Sequence, residues 1–507
     1  MALTWADPAV QELAEKMARK VDDGTAEKVR RLAMGTSVAG SQTGLAGIAL
    51  ELARCGYDDD DRAALGEAAL RHLGTPAARF GLALAGTSGY GAVRWAACQE
   101  ALAKSAVTGT GLAGLGLSVM LGLGHSYAEE RAEVGREALK QLGTPGARLA
   151  LQAGGTSGYA APRTALYETF LASPEGDPIP TALQALDRFP KGYEEERTAA
   201  AREVVARMAQ GRPALNMALQ ASETSGYPAP QGVLLEAGLQ NAEVREPKQL
   251  AQLGLAMVRA VPRGYEEEAA AAASSVMRTL ERLPELAEVT GMARAMMNSS
   301  GYQAVQNAIA DRMLEGAALG TPLAQATYEA YQAVPRGYEE EAAAAAREAL
   351  ARLQKDDPVA QMGLQAMTTS GYHAAQNAVA RATFEALAAP ERRPLAQVAL
   401  AILEAFPSGY QEEAVSAGRA LASFLGTHYS AARDRLDRAS MRGDGSNEQL
   451  QMLREAIRSL KDEDDDRASI LKMAEALQGK AEKVAIVQQE DAVIVGGIRV
   501  KRRTAAY

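Results

Sequence analysis

The residues able to do chemistry are few and scattered. The four histidines, His72, His125, His373 and His428, show no H-E-x-x-H or comparable ligand spacing. The two cysteines, Cys55 and Cys98, lack metal-ligand spacing and are too few for a disulfide framework, which fits a reducing cytoplasm. The chain has no G-x-x-x-x-G-K-[ST] phosphate loop and no G-x-S-x-G elbow. The glycines of Gly111 to Gly124 fall in an apolar helical pattern with no strand before it, so they do not read as a phosphate cradle. Carboxylates are abundant, but exposed carboxylates at helix starts are not an acid–base pair, which needs burial to shift its pKa. The expectation is a non-enzymatic protein with no catalytic residue, no metal and no cofactor.

What does recur is tyrosine. The stretch Val334 to Ala345 reads V-P-R-G-Y-E-E-E-A-A-A-A and returns almost letter for letter at Val261 to Ala272. Related forms begin at Phe189 (F-P-K-G-Y-E-E-E) and Phe406 (F-P-S-G-Y-Q-E-E). A second form, T-S-G-Y, ends at Tyr90, Tyr159, Tyr227 and Tyr372, with S-S-G-Y ending at Tyr302. Together with Tyr57 and Tyr127, these slots hold 11 of the 16 tyrosines at steps of 32 to 38 residues. A fixed period in this range marks a repeat architecture, and it overrides the three or four domains that length alone suggests.

The larger unit is about 70 residues, an acidic G-Y-E-E-E half followed by a neutral T-S-G-Y half. Thr43 to Leu65 aligns with the segment from Thr110, and both run through L-G-T-P-x-A-R, at Leu73 to Arg79 and Leu142 to Arg148. Each half reads as a helical hairpin. From Gly337 the pattern predicts a helix to about Leu353, a break at Lys355–Pro358, and a second helix over Val359–Met367. His373–Leu387 and Leu395–Phe406 form the next pair.

Loop chemistry agrees with this reading. Pro190, Pro262, Pro335 and Pro407 fall where a helix must stop. The Glu triplets at 194–196, 266–268 and 339–341 sit in the first turn of the next helix, at the favourable end of its dipole. In the T-S-G-Y loops the Thr or Ser is expected to cap the following helix directly. The tyrosine rings should pack on a neighbouring hairpin, with each hydroxyl on a loop carbonyl.

The expected fold is therefore all-α, a right-handed α-solenoid of about 11–12 hairpins over residues 43–425. A helical cap (1–42) precedes it, with Val10, Leu13, Met17 and Val21 at helical spacing and a loop from Gly35 to Gly47. Closing helices (426–483) follow, at Glu448–Leu460 and Arg467–Leu477. Residues 484–507 read as a β-hairpin or three-strand meander rich in Val and Ile. The period is similar to that of tetratricopeptide repeats, and the two-helix unit resembles theirs or a HEAT-type array over residues 43–425. The tetratricopeptide pattern W-x-x-L-G-x-x-Y followed by A-x-x-x-F is not matched in register. The resemblance is architectural and implies partner binding in general terms.

A net charge of −9 argues against nucleic acid. The most apolar stretch, Thr108–Gly124, is shorter than a membrane span, and the N-terminus has no signal-peptide pattern. The expected function is a cytoplasmic scaffold or adaptor that binds a protein partner through a concave face, the Gly-Tyr edge or the tail. The residues singled out are Tyr90, Tyr159, Tyr227, Tyr302 and Tyr372, with Val493, Ile494, Val495, Ile498, Lys501, Arg502 and Arg503. Two alternatives stand beside it. One is a self-assembling subunit joined through the β-tail. The other is a regulated substrate or inhibitor of a partner enzyme, processed at the polar break Arg442–Asn447.

Overall fold

In a computed structural model the chain is described for residues 7–36, 42–104, 110–173, 176–441, 443 and 447–460, and for three short stretches of backbone between 486 and 501. Through residue 460 the described chain is helix, turn and loop. It divides into two compact units, Met1–Val276 and Met277–Tyr507.

The first unit opens with α1 (Pro8–Ala18), α2 (Asp23–Met34) and α3 (Gln42–Ala53). Val10, Leu13 and Met17 are fully buried, the N-terminal amphipathic pattern that the spacing predicts. The loop expected over Gly35–Gly47 is shorter than that, because α3 begins at Gln42 and carries Gly44 and Gly47 inside the helix. Three four-helix repeats follow. They are α4 (Asp59–Leu73), α5 (Pro76–Thr87), α6 (Gly91–Ala103) and α7 (Thr110–Gly122); then α8 (Ala128–Leu142), α9 (Pro145–Thr156), α10 (Ala160–Ala172) and α11 (Pro178–Asp187); then α12 (Glu194–Met208), α13 (Pro213–Thr224), α14 (Pro228–Gln240) and α15 (Pro247–Ala260). The division between units falls inside α16 (Glu266–Leu280).

The second unit continues with α17 (Ala287–Ser299), α18 (Gln303–Leu319) and α19 (Leu323–Ala333). A further repeat comprises α20 (Glu339–Leu353), α21 (Pro358–Thr369), α22 (His373–Ala388) and α23 (Leu395–Ala405). Then come α24 (Gln411–His428), α25 (Arg433–Met441) and a helix over 447–460. The hairpin boundaries read from the sequence hold to within two residues here, and the break at 355–358 is a short 3-10 turn, Gln354–Asp356. The helix expected over Arg467–Leu477 lies outside the described residues, as does most of the polar break at 442–447.

Within each unit the packing repeats every four helices. In the second repeat the first and second helices, α8 and α9, both pack on the third, α10. The second helix also packs on the first helix of the next repeat, as α9 does on α12 and α21 on α24. The third and fourth helices pack together, as α10 and α11 do, and the fourth meets the third of the next repeat. The chain thus builds two helices on one side, then two on the other, before repeating.

The second and third helices approach closely, because a glycine faces a small side chain where they cross. A Cβ on Gly81 of α5 would sit 1.9 Å from the Ala101 Cβ of α6. On Gly238 of α14 it would sit 2.0 Å from the Ala218 Cβ of α13, and on Gly363 of α21 it would sit 2.3 Å from Thr383 of α22. Elsewhere the core is filled by Ala, Leu, Val and Met, with Phe80, Phe170, Phe384 and Tyr167 as its largest fully buried side chains.

These crossings make the sign of a simple substitution informative. In an open helix Gly→Ala stabilises by up to ~1 kcal/mol. Gly114 of α7 has nothing within 4 Å of its missing Cβ, so Gly114→Ala should raise the unfolding midpoint. Gly238→Ala should lower it, by about 1–3 kcal/mol in overpacking. Urea unfolding of the two variants, followed by circular dichroism, reads both signs.

Candidate functional site

Each T-S-G-Y or S-S-G-Y loop ends at a helix N-terminus, and the tyrosine itself is the N-cap residue. Tyr90, Tyr159, Tyr227, Tyr302 and Tyr372 begin α6, α10, α14, α18 and α22 with extended backbone, and none of their side chains caps the helix. This corrects the expectation that the Thr or Ser would be the cap. The helix starts two residues later than that, and the two hydroxyls have other tasks. The threonine turns back to the helix behind it: the Thr87, Thr156, Thr224 and Thr369 hydroxyls each donate to the carbonyl three residues earlier at 2.7–2.8 Å, as does Ser299 at 2.7 Å. The serine is buried and accepts from the tyrosine N–H two residues on, at 3.2 Å for Ser88 and 3.3 Å for Ser370.

A further residue fastens this turn. Gln376, four positions after Tyr372, donates from Nε2 to the Ser370 carbonyl at 2.6 Å and to the Met367 carbonyl at 3.2 Å. Gln306 does the same to Ser300 at 2.7 Å and Met297 at 2.9 Å, and Gln231 donates to Ser225. In the first repeat Arg94 occupies the slot and reaches the Ala85 carbonyl at 3.3 Å. The Y-x-x-x-Q spacing was the available signal for this clamp, and sequence reasoning passed over it.

The acidic loops are built differently. Gly192, Gly264, Gly337 and Gly409 have φ of 91–98°, the left-handed region that glycine enters without strain. Each precedes a tyrosine that caps an acidic helix. The first glutamate of the helix folds back to accept from the glycine N–H, Glu194 at 3.1 Å and Glu339 at 3.2 Å. That bond pulls the Glu194 carboxyl below its ordinary range. The prolines lie two or three residues past each preceding helix, where it cannot continue.

Buried serine and clamped backbone leave the rings outside. Tyr90, Tyr159, Tyr227, Tyr302 and Tyr372 are 53–57% exposed. Each meets the tyrosine of the next acidic loop: Tyr90 with Tyr127 at 5.1 Å between centroids, Tyr159 with Tyr193 at 5.3 Å, and Tyr227 with Tyr265 at 5.4 Å in the first unit. In the second unit Tyr302 meets Tyr338 and Tyr372 meets Tyr410, both at 5.4 Å. The interplanar angles of 60–72° are edge-to-face geometry, with the positive ring edge on the negative face. The ring's partner is therefore another tyrosine, where the sequence reading placed a hairpin surface and a loop carbonyl.

Between one pair and the next, the first and third helices of a repeat are tied at their starts. Thr164 of α10 donates to the Ala128 carbonyl of α8 at 3.2 Å, and Thr198 of α12 donates to the Pro228 carbonyl of α14 at 2.7 Å. Ion pairs Arg131–Glu168 and Arg197–Glu236 join the same helices. In the second unit Asn377 donates to the Glu339 carbonyl at 3.3 Å, and His373 lies 3.3 Å from Glu340. Within each unit, helix N-termini bearing tyrosines thus follow one another along a single edge.

Tyr57, the first of the series, has no T-S-G-Y tyrosine before it. It is 82% exposed, and Lys28 places its ammonium 5.3 Å from the ring centroid. Asp58 follows the tyrosine as the N-cap of α4, whose first turn holds Asp59, Asp60 and Asp61.

Chemistry elsewhere is muted. Cys98 is buried, and burial pushes its thiol far above the ordinary range, opposite to the shift that makes a cysteine nucleophilic. Among the described residues no group of three His, Cys, Asp or Glu side chains is placed to hold a metal ion, and no helix is long and apolar enough to cross a membrane. The side chains of Val493, Ile494, Val495, Ile498, Lys501, Arg502 and Arg503 lie outside the described residues. No family model, curated protein or solved structure matches this chain.

The Tyr302–Tyr338 contact predicts a measurable coupling. A double-mutant cycle with Tyr302→Ala and Tyr338→Ala should give a coupling free energy of about 0.5–1.5 kcal/mol in chemical unfolding. A value within error of zero would mean that the rings are neighbours without interaction.

Proposed function

We propose that the protein is a non-enzymatic helical-repeat scaffold that binds a protein partner along the tyrosine-bearing edge of its repeats. The observation that carries this reading is the set of five tyrosine pairs, built alike and each leaving one ring more than half in water. A ring needed only to fasten two loops could be sunk between them. These are held out by a buried serine and, in three repeats, by a glutamine clamp. Rigid tyrosine rings offer large contact area at low entropic cost, which is why aromatic side chains are enriched at the energetic centres of interfaces. Stacked hairpins supply such a surface without any catalytic motif.

On this reading the repeats are an α-solenoid of eleven or twelve hairpins, similar in plan to tetratricopeptide or HEAT-type arrays, working in the cytoplasm without cofactor. A second reading, self-assembly through the tail, has one observation in its favour. The backbone of β1 (Ile486–Gln489), β2 (Ala492–Val495) and β3 (Ile498–Lys501) runs antiparallel in that order, with Val487 opposite Ile494 and Val493 opposite Val500. A three-stranded sheet of this kind has two edges on which another strand can add.

The test is crosslinked capture from native lysate with the full chain as bait. Wild type and Tyr328→Ser, a tyrosine outside the series, should retain a discrete partner. A variant with Ser at positions 90, 159, 227, 302 and 372 should lose it at least ~10-fold while keeping its helical circular dichroism, as expected when interface anchors are removed. Undiminished capture by that variant would overturn the reading.

A further inference from the structure

We infer that the tyrosine edge recognises lysine and arginine side chains of an extended basic segment, and that its occupant is the C-terminal run Arg499–Arg503 of a second copy of this chain. The inference rests on the scaffold reading and names the chemistry of the partner.

The first support is what already sits on the series. Among the described residues Tyr57 has no companion ring like those of the other acidic-loop tyrosines, and its neighbour is the Lys28 ammonium, 5.3 Å from the centroid. That is within the ~6 Å at which a cation is held by the ring quadrupole. Tyr57 stands one residue ahead of the Asp58 that caps an acidic helix, and Tyr127, Tyr193, Tyr265, Tyr338 and Tyr410 stand directly before acidic helices of their own. The chain itself therefore shows which kind of side chain this arrangement takes.

The second support is charge. A row of helix N-termini by itself would favour anions, each end contributing about half a positive charge. Here the first turns carry Glu194–Glu196, Glu266–Glu268 and Glu339–Glu341, three carboxylates against that half charge. The loops' own basic residues, Lys191, Arg263 and Arg336, number one per triplet. Counted over loop and first helical turn alone, the balance is negative at each of these three triplets.

The third support is the tail. In a chain of net charge −9, the run Ile498–Arg503 reads I-R-V-K-R-R, with four basic residues and no acidic one. Alternation in Arg499, Val500 and Lys501 suits an extended segment that offers cations at intervals of two. Each exposed cation–π contact contributes on the order of 0.5–1 kcal/mol, or roughly two- to fivefold in affinity, so several must act together to be felt.

The experiment uses a labelled peptide of residues 498–507 and the full-length protein carrying Arg499→Gln, Lys501→Gln, Arg502→Gln and Arg503→Gln, which frees the edge from its own tail. Fluorescence anisotropy should show binding that weakens at least ~10-fold between about 50 and 500 mM salt. It should weaken at least ~10-fold when the five exposed tyrosines become Ser, and by less than ~3-fold when they become Phe, which keeps the ring face and the pair packing. Sedimentation velocity should show wild type associating with concentration at low salt and the four-Gln variant remaining monomeric. No binding of the peptide, or binding indifferent to the Ser substitutions or to salt, overturns the inference. If the peptide fails while a lysate partner still depends on the five tyrosines, the scaffold reading stands with a different occupant. If both fail, the edge is a structural seam.

Discussion

The close crossing of the second and third helices is the constraint on which the rest of this structure depends. Gly81 against Ala101, Gly238 against Ala218 and Gly363 against Thr383 leave no room for even one added methyl. Helices brought this near have a thin core, and a thin core admits few rings. The chain accordingly has 6 Phe and 2 Trp in 507 residues, and most of its 16 Tyr are spent on loops. Small residues in the interior and aromatic residues at the helix ends are two consequences of one spacing. The same spacing puts consecutive helix starts near enough for a tyrosine on one to reach a tyrosine on the next.

Those helix starts would carry unsatisfied N–H groups and partial positive charge. The two loop types answer this in different ways. In the neutral loops a buried serine takes the tyrosine N–H, and a glutamine or arginine from the next turn ties the loop carbonyls. In the acidic loops a left-handed glycine lets the chain turn, and the first glutamate accepts from that glycine. Both solutions fix the backbone on each side of the tyrosine, so ring position is set without burying the ring. An exposed ion pair here contributes little to stability, of the order of 0–1 kcal/mol. The repeated glutamates therefore shape the potential of the edge more than they strengthen the fold.

Much of this architecture was legible in the sequence because its signals are local. Proline marks helix ends, Gly-Tyr marks loops, and alanine-rich stretches after Glu triplets mark helices, so the boundaries around Gly337–Phe406 emerge from spacing alone. What spacing does not carry is which repeated residues touch. Tyr90 lies 37 positions from Tyr127 and 33 from Tyr57, and only the packing of both α6 and α8 on α5 and α7 decides that its ring meets Tyr127. The roles within T-S-G-Y escaped for a related reason. Thr, Ser and Tyr are all plausible near a helix start, and the choice of cap depends on Gln376-type contacts from a turn further along. The start of α3 at Gln42 was hidden by glycines, which depress helix propensity.

The candidate edge was thus visible as a list of tyrosines, but its character depends on pairing. A lone exposed tyrosine is ordinary on any surface. A tyrosine whose backbone is pinned and whose ring meets another ring, itself followed by a helix with two or three carboxylates in its first turn, is part of a preorganised electronegative face. Preorganisation matters because weak contacts add only if no ordering cost is charged at each one. Tyr57 and Lys28 mark where the series begins and where, among the described residues, no companion ring stands. There the chain has placed a cation on the face, and this substitution of ammonium for ring is the physical link between the fold's repeat and the kind of partner it suits.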